Sequence, residues 1–350
     1  MDLDLLVIGV SYAGWERAVA AARLHRRVGL IAIPSSAALP QWDLRQCPDH
    51  VLQAACAQWA LAATPRQTAL RHSDPLQWRE FATRATTLWQ RELDSLRQQL
   101  LAAKGRIWTG TPMLTGAHSV VVTGSGSPPF PLRSEQLLIA TGTRPQRPWF
   151  AVSEPAGLHD AARLLDASDL PGEACVVGAG VTGLRAACLL AWWGTHVRVI
   201  DGRQSSFPVA NGDTCDLLNW AERLEVDFEF GEDVIGVRSH TGRQPVGLTL
   251  ESGRQVRTES VWLATGRRGR TDELKLEHAR LMTDETGRLW CGPQLRTWIP
   301  SISAAGDVVG YASEAVRESE PVGPGMGFEV GPAVPVGREA TAGRSLLSVG

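Results

Sequence analysis

The chain has 350 residues, of which 43% are hydrophobic and 21% charged, and its formal net charge is -2 at pH 7. This length predicts two domains with hydrophobic cores, and the lack of a basic run disfavours a nucleic-acid-binding or membrane-surface protein. The acidic N-terminus lacks the basic stretch of a signal peptide, and no apolar run is long enough to cross a bilayer. We therefore expect a cytoplasmic protein.

The first βαβ pattern occupies the first 32 residues: a buried strand, a glycine turn, a helix and a second strand. Gly9, Ser11 and Gly14 occupy the three glycine positions of the GxGxxG pattern that binds dinucleotides. Ser11 replaces the second glycine, so a side chain stands where a pyrophosphate would approach the backbone. Ala32 stands where the ribose-binding acid is expected. The pattern is that of a damaged dinucleotide site.

Helices are predicted next, in residues 43–64 and in an amphipathic stretch that runs from an N-cap at Ser73 to about Lys104. We interpret the second helix as one that only packs on the sheet. The same interpretation applies to Trp192 and Trp193 at the end of a later helix, which we expect to be buried against the sheet.

Short strands follow in residues 107–139 and predict a small β-meander. The last of them enters the turn Ala140-Thr141-Gly142, with Pro145 just beyond it. A turn of small residues after a buried strand brings backbone close to a ligand.

The strongest motif runs from Ala174 to Asp201 and reads as strand, glycine turn, apolar helix and strand. Gly178 permits the tight turn, Gly180 lets a pyrophosphate approach the backbone, and Gly183 lets helix and strand pack closely. The helix N-terminus offers N–H donors and a positive dipole end to phosphates. Asp201 can accept both hydroxyls of an adenosine ribose. This motif predicts dinucleotide binding.

The second half of the chain then repeats the plan of the first. Strands between residues 226 and 263 predict another β-meander, and it leads into Ala-Thr-Gly ending at Gly266. A last short strand ends at Gly306 and Asp307, where the carboxylate can accept hydrogen bonds from a polyol. The duplication is a stronger signal than either glycine turn alone.

Together these motifs resemble the flavoprotein pyridine nucleotide–disulfide reductase family, which includes glutathione reductase and dihydrolipoyl dehydrogenase. The resemblance covers roughly residues 4–315 and includes the turn Ile33-Pro34-Ser35. Within the family, residues 266–272 and 306–311 are most similar to soluble pyridine nucleotide transhydrogenases.

The resemblance implies an α/β fold with two Rossmann-like βαβ domains, in which an NAD(P)-binding domain is inserted in an FAD-binding domain and each has a small β-meander. Residues 1–150 and 271–315 would bind FAD, and residues 151–270 a nicotinamide nucleotide. Residues 316–350 show no helical or strand period, so we expect a disordered tail. The residues implied for FAD are Gly9, Ser11, Gly14, Ser35, Thr141, Gly142, Gly306 and Asp307. Those implied for the nicotinamide nucleotide are Gly178, Gly180, Gly183, Asp201, Arg203 and Gly266.

The resemblance also implies that hydride passes from NAD(P)H to FAD and then to a second nicotinamide nucleotide, so no dithiol is required. Asp201 favours NAD because it would repel a 2′-phosphate, whereas Arg203 and Arg198 could receive that phosphate. We expect NAD, with NADP tolerated. The six cysteines form no CxxC or CxxxxC pair, which disfavours a metal site and exchange with a disulfide.

Several family features are absent from this sequence. The loop with the redox cysteine is missing before Ile33, Ser36 replaces a lysine, and Arg185 replaces an acid. No counterpart of the dimer-forming interface domain follows, so we expect a monomer or weak oligomer.

Three hypotheses follow: an oxidoreductase of transhydrogenase type, a non-catalytic remnant that binds a nicotinamide nucleotide but no flavin, and an NAD(P)H diaphorase. We predict that nucleotide binding between Gly178 and Asp201 survives and that FAD binding is impaired.

Overall fold

The computed structural model describes residues 2–34, 52, 54–55, 75–124, 128–151, 157–203, 212–238, 245–292 and 294–310. Ser35, the predicted N-cap Ser73, most of the predicted helix in residues 43–64 and the predicted tail in residues 316–350 lie outside these ranges. None of the described helices is long and apolar enough to cross a membrane.

The first sheet has seven strands and is parallel over five of them. Its strands are β1 (Leu3–Ile8), β2 (Val28–Ala32), β3 (Arg106–Thr109), β4 (Thr111–Gly116), β5 (Ser119–Thr123), β6 (Phe130–Ile139) and β17 (Ile302–Ala304). The parallel order is β3-β2-β1-β6-β17, and β4 and β5 extend β6 as the antiparallel meander expected from the sequence. Helix α1 (Tyr12–Arg23) connects β1 to β2.

The second sheet has five parallel strands in the order β11-β10-β9-β15-β8. They are β8 (Leu158–Asp160), β9 (Glu173–Val177), β10 (His196–Asp201), β11 (Asp227–Phe230) and β15 (Ser260–Leu263). Helix α3 (Val181–Trp192) connects β9 to β10, and helix α4 (Gly212–Arg223) connects β10 to β11.

Two antiparallel sheets complete the fold. The second predicted meander consists of β12 (Val234–Arg238), β13 (Val246–Leu250) and β14 (Gln255–Thr258). A two-stranded ribbon pairs β7 (Thr143–Pro145) with β16 (Arg267–Gly269), so the two Ala-Thr-Gly returns continue into strands that pair with each other. The whole second sheet lies in sequence between β6 and β17 of the first. These sheets confirm the predicted α/β fold.

Helix α2 (Pro75–Ala102) contacts both halves of the molecule. Its C-terminal part packs on α1, where Tyr12 donates to Glu92 at 3.2 Å and Arg23 donates to Gln99 at 2.6 Å. Its N-terminal part packs on the second half, where the Trp78 indole donates to the carbonyl of Ala167 at 2.8 Å. The expectation that this helix only packs on the sheet is therefore wrong.

An aromatic cluster of Trp78, Phe81, Trp192 and Trp193 joins α2 to α3. The ring centroids of Trp78 and Trp193 are 5.5 Å apart, and those of Phe81 and Trp193 are 5.3 Å apart. Trp192 lies edge-on to Phe81 at 5.8 Å. Trp192 and Trp193, at the end of α3, thus contact a second helix, because α2 lies over the end of α3. One apolar core runs through this contact from the first half to the second.

Candidate functional site

The first candidate site lies at the carboxyl ends of β1, β6 and β17. Gly9 has a φ of +108°, and a side chain there would overlap the carbonyl oxygen of Ala140. A Cβ on Gly14 would lie 2.7 Å from the Cβ of Ala140. Both glycines are therefore required for the close contact between the first glycine turn and the return after β6.

Ser11 caps helix α1 at the position of the missing glycine. Its Oγ accepts a hydrogen bond from the backbone N–H of Gly14 at 3.3 Å. The hydroxyl thereby takes one of the N–H donors that a phosphate would use at a helix N-terminus. The side chain stands where the sequence placed it, and it has a structural role as an N-cap.

Gly306 and Asp307, which follow β17, meet the same glycine turn. A Cβ on Gly306, whose φ is +73°, would lie 3.5 Å from the Oγ of Ser11. Asp307 accepts a hydrogen bond of 3.4 Å from the hydroxyl of Thr143, one residue beyond Gly142. The structure thus brings together the three segments that the sequence assigned to one cofactor.

Thr141 contributes an unsatisfied polar atom to this site. Its side chain is buried, and its Oγ1 has no hydrogen-bond partner among the described residues. Because buried hydroxyls are almost always paired, this atom indicates a place for a polar ligand group.

The outer end of the first site has Ala32 where the sequence pattern predicts an acid. Ala32 ends β2, and its carbonyl accepts a hydrogen bond of 3.0 Å from the N–H of Gly110, so the chain continues the sheet here. Asp201, the acid at the corresponding place of the second site, has no equivalent at this position.

Two carboxylates lie close to the N-terminus of α1. Tyr12, the first residue of the helix, donates to Glu92 at 3.2 Å, and Glu16 lies one turn further along. Burial raises the pKa of Glu16, and the neighbouring Glu92 raises it further, although Arg17 acts in the opposite direction. Burial and the same two carboxylates raise the pKa of the Tyr12 phenol. This acidic group opposes the attraction of the helix N-terminus for phosphate.

The second glycine turn follows β9 and is intact. Gly178 has a φ of +104°, and a side chain there would overlap the carbonyl oxygen of Ala264. A side chain on Gly183 would overlap the carbonyl oxygen of Gly178. A Cβ on Gly180 would meet no neighbouring group within 4 Å among the described residues. The fold therefore requires Gly178 and Gly183, whereas it leaves space beside Gly180.

Gly180 is also the N-cap of α3, and it supplies no side-chain hydrogen bond to the helix. The N–H donors of the first helical turn therefore face the space beside Gly180 without a side-chain cap. Gly266, with a φ of +115°, lies in the return after β15, and a Cβ there would likewise meet nothing within 4 Å in the described part of the chain.

Asp201 ends β10 and is held by four hydrogen bonds. Its carboxylate accepts from the N–H of Ala179 at 2.7 Å, from the N–H of Arg203 at 3.0 Å, and from the Arg203 guanidinium at 2.8 and 2.7 Å. Burial alone would raise the pKa of Asp201, but these hydrogen bonds outweigh it and hold the pKa below its ordinary value. The Arg203 side chain is 48% exposed.

The ribbon of β7 and β16 contains residues that the sequence reasoning missed. Arg267 donates to the hydroxyl of Thr143 at 2.7 Å and to its carbonyl at 3.0 Å, and Arg144 pairs with Asp272 at 2.7 Å. The signal was available, since each Ala-Thr-Gly return is followed by an arginine within two residues.

These residues fit the cofactors to different extents. At the second site, open space beside Gly180 and an uncapped helix N-terminus fit a dinucleotide pyrophosphate. At the first site, the unpaired Thr141 hydroxyl and the carboxylate of Asp307 fit a flavin with its polyol chain. The Ser11 cap and Ala32 fit the adenosine diphosphate end less well.

Residues 3–323 match the family described as pyridine nucleotide-disulphide oxidoreductase. The chain belongs to this family. The resemblance inferred from the motifs is thereby confirmed, and pyridine nucleotide-disulphide oxidoreductases are flavoproteins that use nicotinamide nucleotides.

The relatives include a soluble pyridine nucleotide transhydrogenase of Mycobacterium bovis, 28% identical over 324 residues, with 91% of this chain and 69% of the relative covered. A soluble pyridine nucleotide transhydrogenase of Chromohalobacter salexigens is 26% identical and covers 90% of this chain and 68% of its own length. This chain therefore spans about two thirds of the length of these transhydrogenases.

Two solved structures share the fold of this pyridine nucleotide-disulphide oxidoreductase. The HOCl-induced flavoprotein disulfide reductase RclA from Escherichia coli, as a Cu(II) complex, matches with a TM-score of 0.72 and 20% identity over 91% of this chain and 68% of its own. LpdA from Mycobacterium tuberculosis matches with a TM-score of 0.71 and 23% identity over 89% of this chain and 69% of its own.

Proposed function

We propose that this chain is an FAD-dependent oxidoreductase that takes hydride from NAD(P)H and delivers it to a second nicotinamide nucleotide. The observation that carries the proposal is the meeting of three separate segments, Gly9–Gly14, Ala140–Thr143 and Gly306–Asp307, in a chain that also has an intact second glycine turn. The names of the transhydrogenase relatives support the second half of the reaction.

FAD would be held mainly by its flavin and polyol end. Asp307 would accept hydrogen bonds from polyol hydroxyls, and the buried hydroxyl of Thr141 would gain the partner it lacks. Bound FAD would supply the hydride chemistry, which no side chain of the protein provides.

The nicotinamide nucleotide would be held at the N-terminus of α3. The N–H donors next to Gly180 would bind the pyrophosphate, and the Asp201–Arg203 pair would meet the adenosine ribose. Gly266 would bring the backbone of the return close to the nucleotide.

Among the described residues, the burial of the thiols favours a nucleotide over a disulfide as the acceptor of the hydride. Cys175, Cys188 and Cys291 are all buried and free, and burial raises the pKa of each thiol to about 12. Disulfide exchange requires an accessible thiolate, so none of these three is suited to it.

A second candidate function is nicotinamide nucleotide binding without flavin. Three features at one site favour it: the Ser11 cap, the missing acid at Ala32, and the acidic group of Glu16 and Glu92. All three weaken the adenosine diphosphate end of the FAD site and leave the second glycine turn unchanged.

The visible absorption spectrum of the purified protein separates the two. We expect a flavin band, in the protein as isolated or after addition of FAD, that bleaches with NADH or NADPH under anaerobic conditions. Recovery of the band on adding the other nucleotide in its oxidised form would support transhydrogenation. A colourless protein that binds NADPH but takes up no FAD would contradict the proposal and support the second candidate.

A further inference from the structure

A chain of hydrogen bonds runs from the return of the second sheet to the carboxylate of the first site. Arg267 donates from Nε to Oγ1 of Thr143 at 2.7 Å, and Thr143 Oγ1 lies 3.4 Å from Oδ2 of Asp307, to which it donates. Thr143 is buried, with 2% of its surface exposed, so water does not compete for this hydroxyl.

The donor and acceptor properties of the three groups fix the direction of both hydrogen bonds. A guanidinium has only donors, so Thr143 Oγ1 must accept from Arg267. The single hydroxyl proton is then directed to the carboxylate, which has only acceptors. Arg267 thereby orients the Thr143 hydroxyl, and the hydroxyl constrains the side chain of Asp307.

Arg267 also fixes the backbone of Thr143. A second guanidinium nitrogen donates to the Thr143 carbonyl at 3.0 Å, and the two residues lie on the paired strands β16 and β7. Arg267 directly follows Gly266, in the return after the last strand of the second sheet. One side chain from the second half of the molecule thus holds a residue of the first half at two points.

We propose that Arg267 is a positioning residue for FAD: acting through Thr143, it holds the Asp307 carboxylate in the orientation that binds the polyol of the cofactor. The proposal rests on the proposed function, because it assumes that FAD binds at the first site. It adds that the orientation of the carboxylate that binds FAD is fixed by a residue from the half of the molecule that binds the nicotinamide nucleotide.

The test measures the dissociation constant of FAD by fluorescence titration for the 350-residue protein and its variants. Thr143→Val keeps the side-chain shape and removes the hydroxyl, Thr143→Ser keeps the hydroxyl, and Arg267→Met removes the donors. Arg268→Met is the matched control, because Arg268 is the exposed next residue of the same strand. The melting temperature of each variant is measured alongside to show that it folds.

We expect Thr143→Val and Arg267→Met each to weaken FAD binding about tenfold, the size expected for the loss of a hydrogen bond to a charged group. Thr143→Ser should restore binding to within about twofold, and Arg268→Met should leave it unchanged. The double variant should bind no more weakly than the weaker single variant, because both changes break the same chain.

Other outcomes contradict the proposal in distinguishable ways. If the wild-type protein binds FAD and Thr143→Val binds it equally well, Arg267 does not act through Thr143. If Arg267→Met weakens NADPH binding as much as FAD binding, Arg267 serves the nucleotide return directly. If the wild-type protein takes up no FAD, the proposed function is wrong, and this proposal fails with it.

Discussion

Arg203 and Asp201, two residues apart, form a bidentate ion pair that occupies the carboxylate otherwise available to an adenosine ribose. With the two backbone N–H groups that also donate to it, the carboxylate uses its roughly four acceptor positions. A ribose diol can therefore bind Asp201 only after Arg203 moves away. A 2′-phosphate would attract the Arg203 guanidinium and supply the reason for it to move.

This pair leads us to expect a preference for NADPH over NADH, the reverse of the order that Asp201 alone suggests. Arg203→Ala should free the carboxylate and shift the ratio of the two dissociation constants toward NADH by about tenfold or more, the loss expected for a charge-assisted hydrogen bond. Titration of both nucleotides measures the ratio. Arg198→Ala tests the other arginine considered for the phosphate, and a shift as large as that of Arg203→Ala would contradict the assignment.

Substitutions of Gly180 and Gly178 should affect different properties, nucleotide binding in the first case and thermal stability in the second. Gly180→Val fills space that is open in the fold, so we expect normal thermal stability and loss of nucleotide binding. Gly178→Ala adds an atom against the carbonyl of Ala264 at a positive φ, so we expect a lower melting temperature. Calorimetry and nucleotide titration separate the two effects. Unchanged affinity in Gly180→Val would show that the pyrophosphate binds elsewhere.

Ser11→Gly should improve FAD binding. The change restores the fingerprint glycine and frees the N–H of Gly14, at a cost to the helix of only a few tenths of a kcal/mol. The measurement is the dissociation constant of FAD, and the melting temperature serves as the check on folding. Ser119→Gly, in a strand of the meander, is a control for the general effect of adding a glycine. Equal FAD binding in Ser11→Gly would show that the Ser11 cap does not obstruct the cofactor, and weaker binding would show that the hydroxyl contributes to the cofactor site.

The sequence was sufficient for the parts of this fold that depend on local pattern. Both glycine turns and both meanders follow from strand–turn–helix periodicity, whereas the convergence of Thr141, Gly142 and Asp307 was implied by the family resemblance. Residues remote in sequence were beyond such reasoning. Nothing in the helical period of α2 indicates that Trp78 meets Trp193, because periodicity identifies an apolar face but not its partner.

Among the site residues, too, positions were predictable from local sequence pattern, whereas contacts between side chains were not. Asp201 was predictable from its place at the end of β10, whereas its saturation by Arg203 depends on a side-chain conformation that spacing does not specify. The hydrogen bond between Arg267 and Thr143 joins residues that are 124 positions apart in sequence, and it depends on the pairing of β16 with β7. Long-range pairing of short strands leaves little trace in sequence.

The protonation of Glu16 should make stability depend on pH. Because the folded protein raises the pKa of Glu16, its contribution is fully present below the ordinary glutamate pKa and is lost as the pH rises through the raised value. Glu16→Gln should therefore melt at a higher temperature than the wild type at pH 7 to 8, and the difference should shrink toward pH 4. Glu222→Gln, at an exposed position of α4, is the control. A constant difference across this range would exclude titration of Glu16 as the cause.

The aromatic cluster should make the two halves unfold together. Phe81 is fully buried between α2 and α3, and Phe81→Ala should cost about 3 to 5 kcal/mol of unfolding free energy. We also expect the single transition of the wild type to split in two, as judged by denaturant titration followed by tryptophan fluorescence and circular dichroism. A single transition at an unchanged midpoint would show that the cluster does not couple the halves. Leu101→Ala, at an exposed position of the same helix, controls for loss of helix stability.

Helix α2 also has a consequence for the order of events during synthesis. Its 28 residues leave the ribosome well before α3, which begins at Val181, has been translated. At a translation rate of roughly 5 to 20 residues per second, the apolar side chains of Trp78 and Phe81 stay exposed for several seconds before Trp192 and Trp193 are synthesised. If the first half folds early, an exposed apolar aromatic surface is therefore available to other chains and to chaperones. Added chaperone capacity should raise the yield of properly folded protein, because chaperones shield that surface during the exposed interval. Slower translation should lower the yield, because it lengthens the interval.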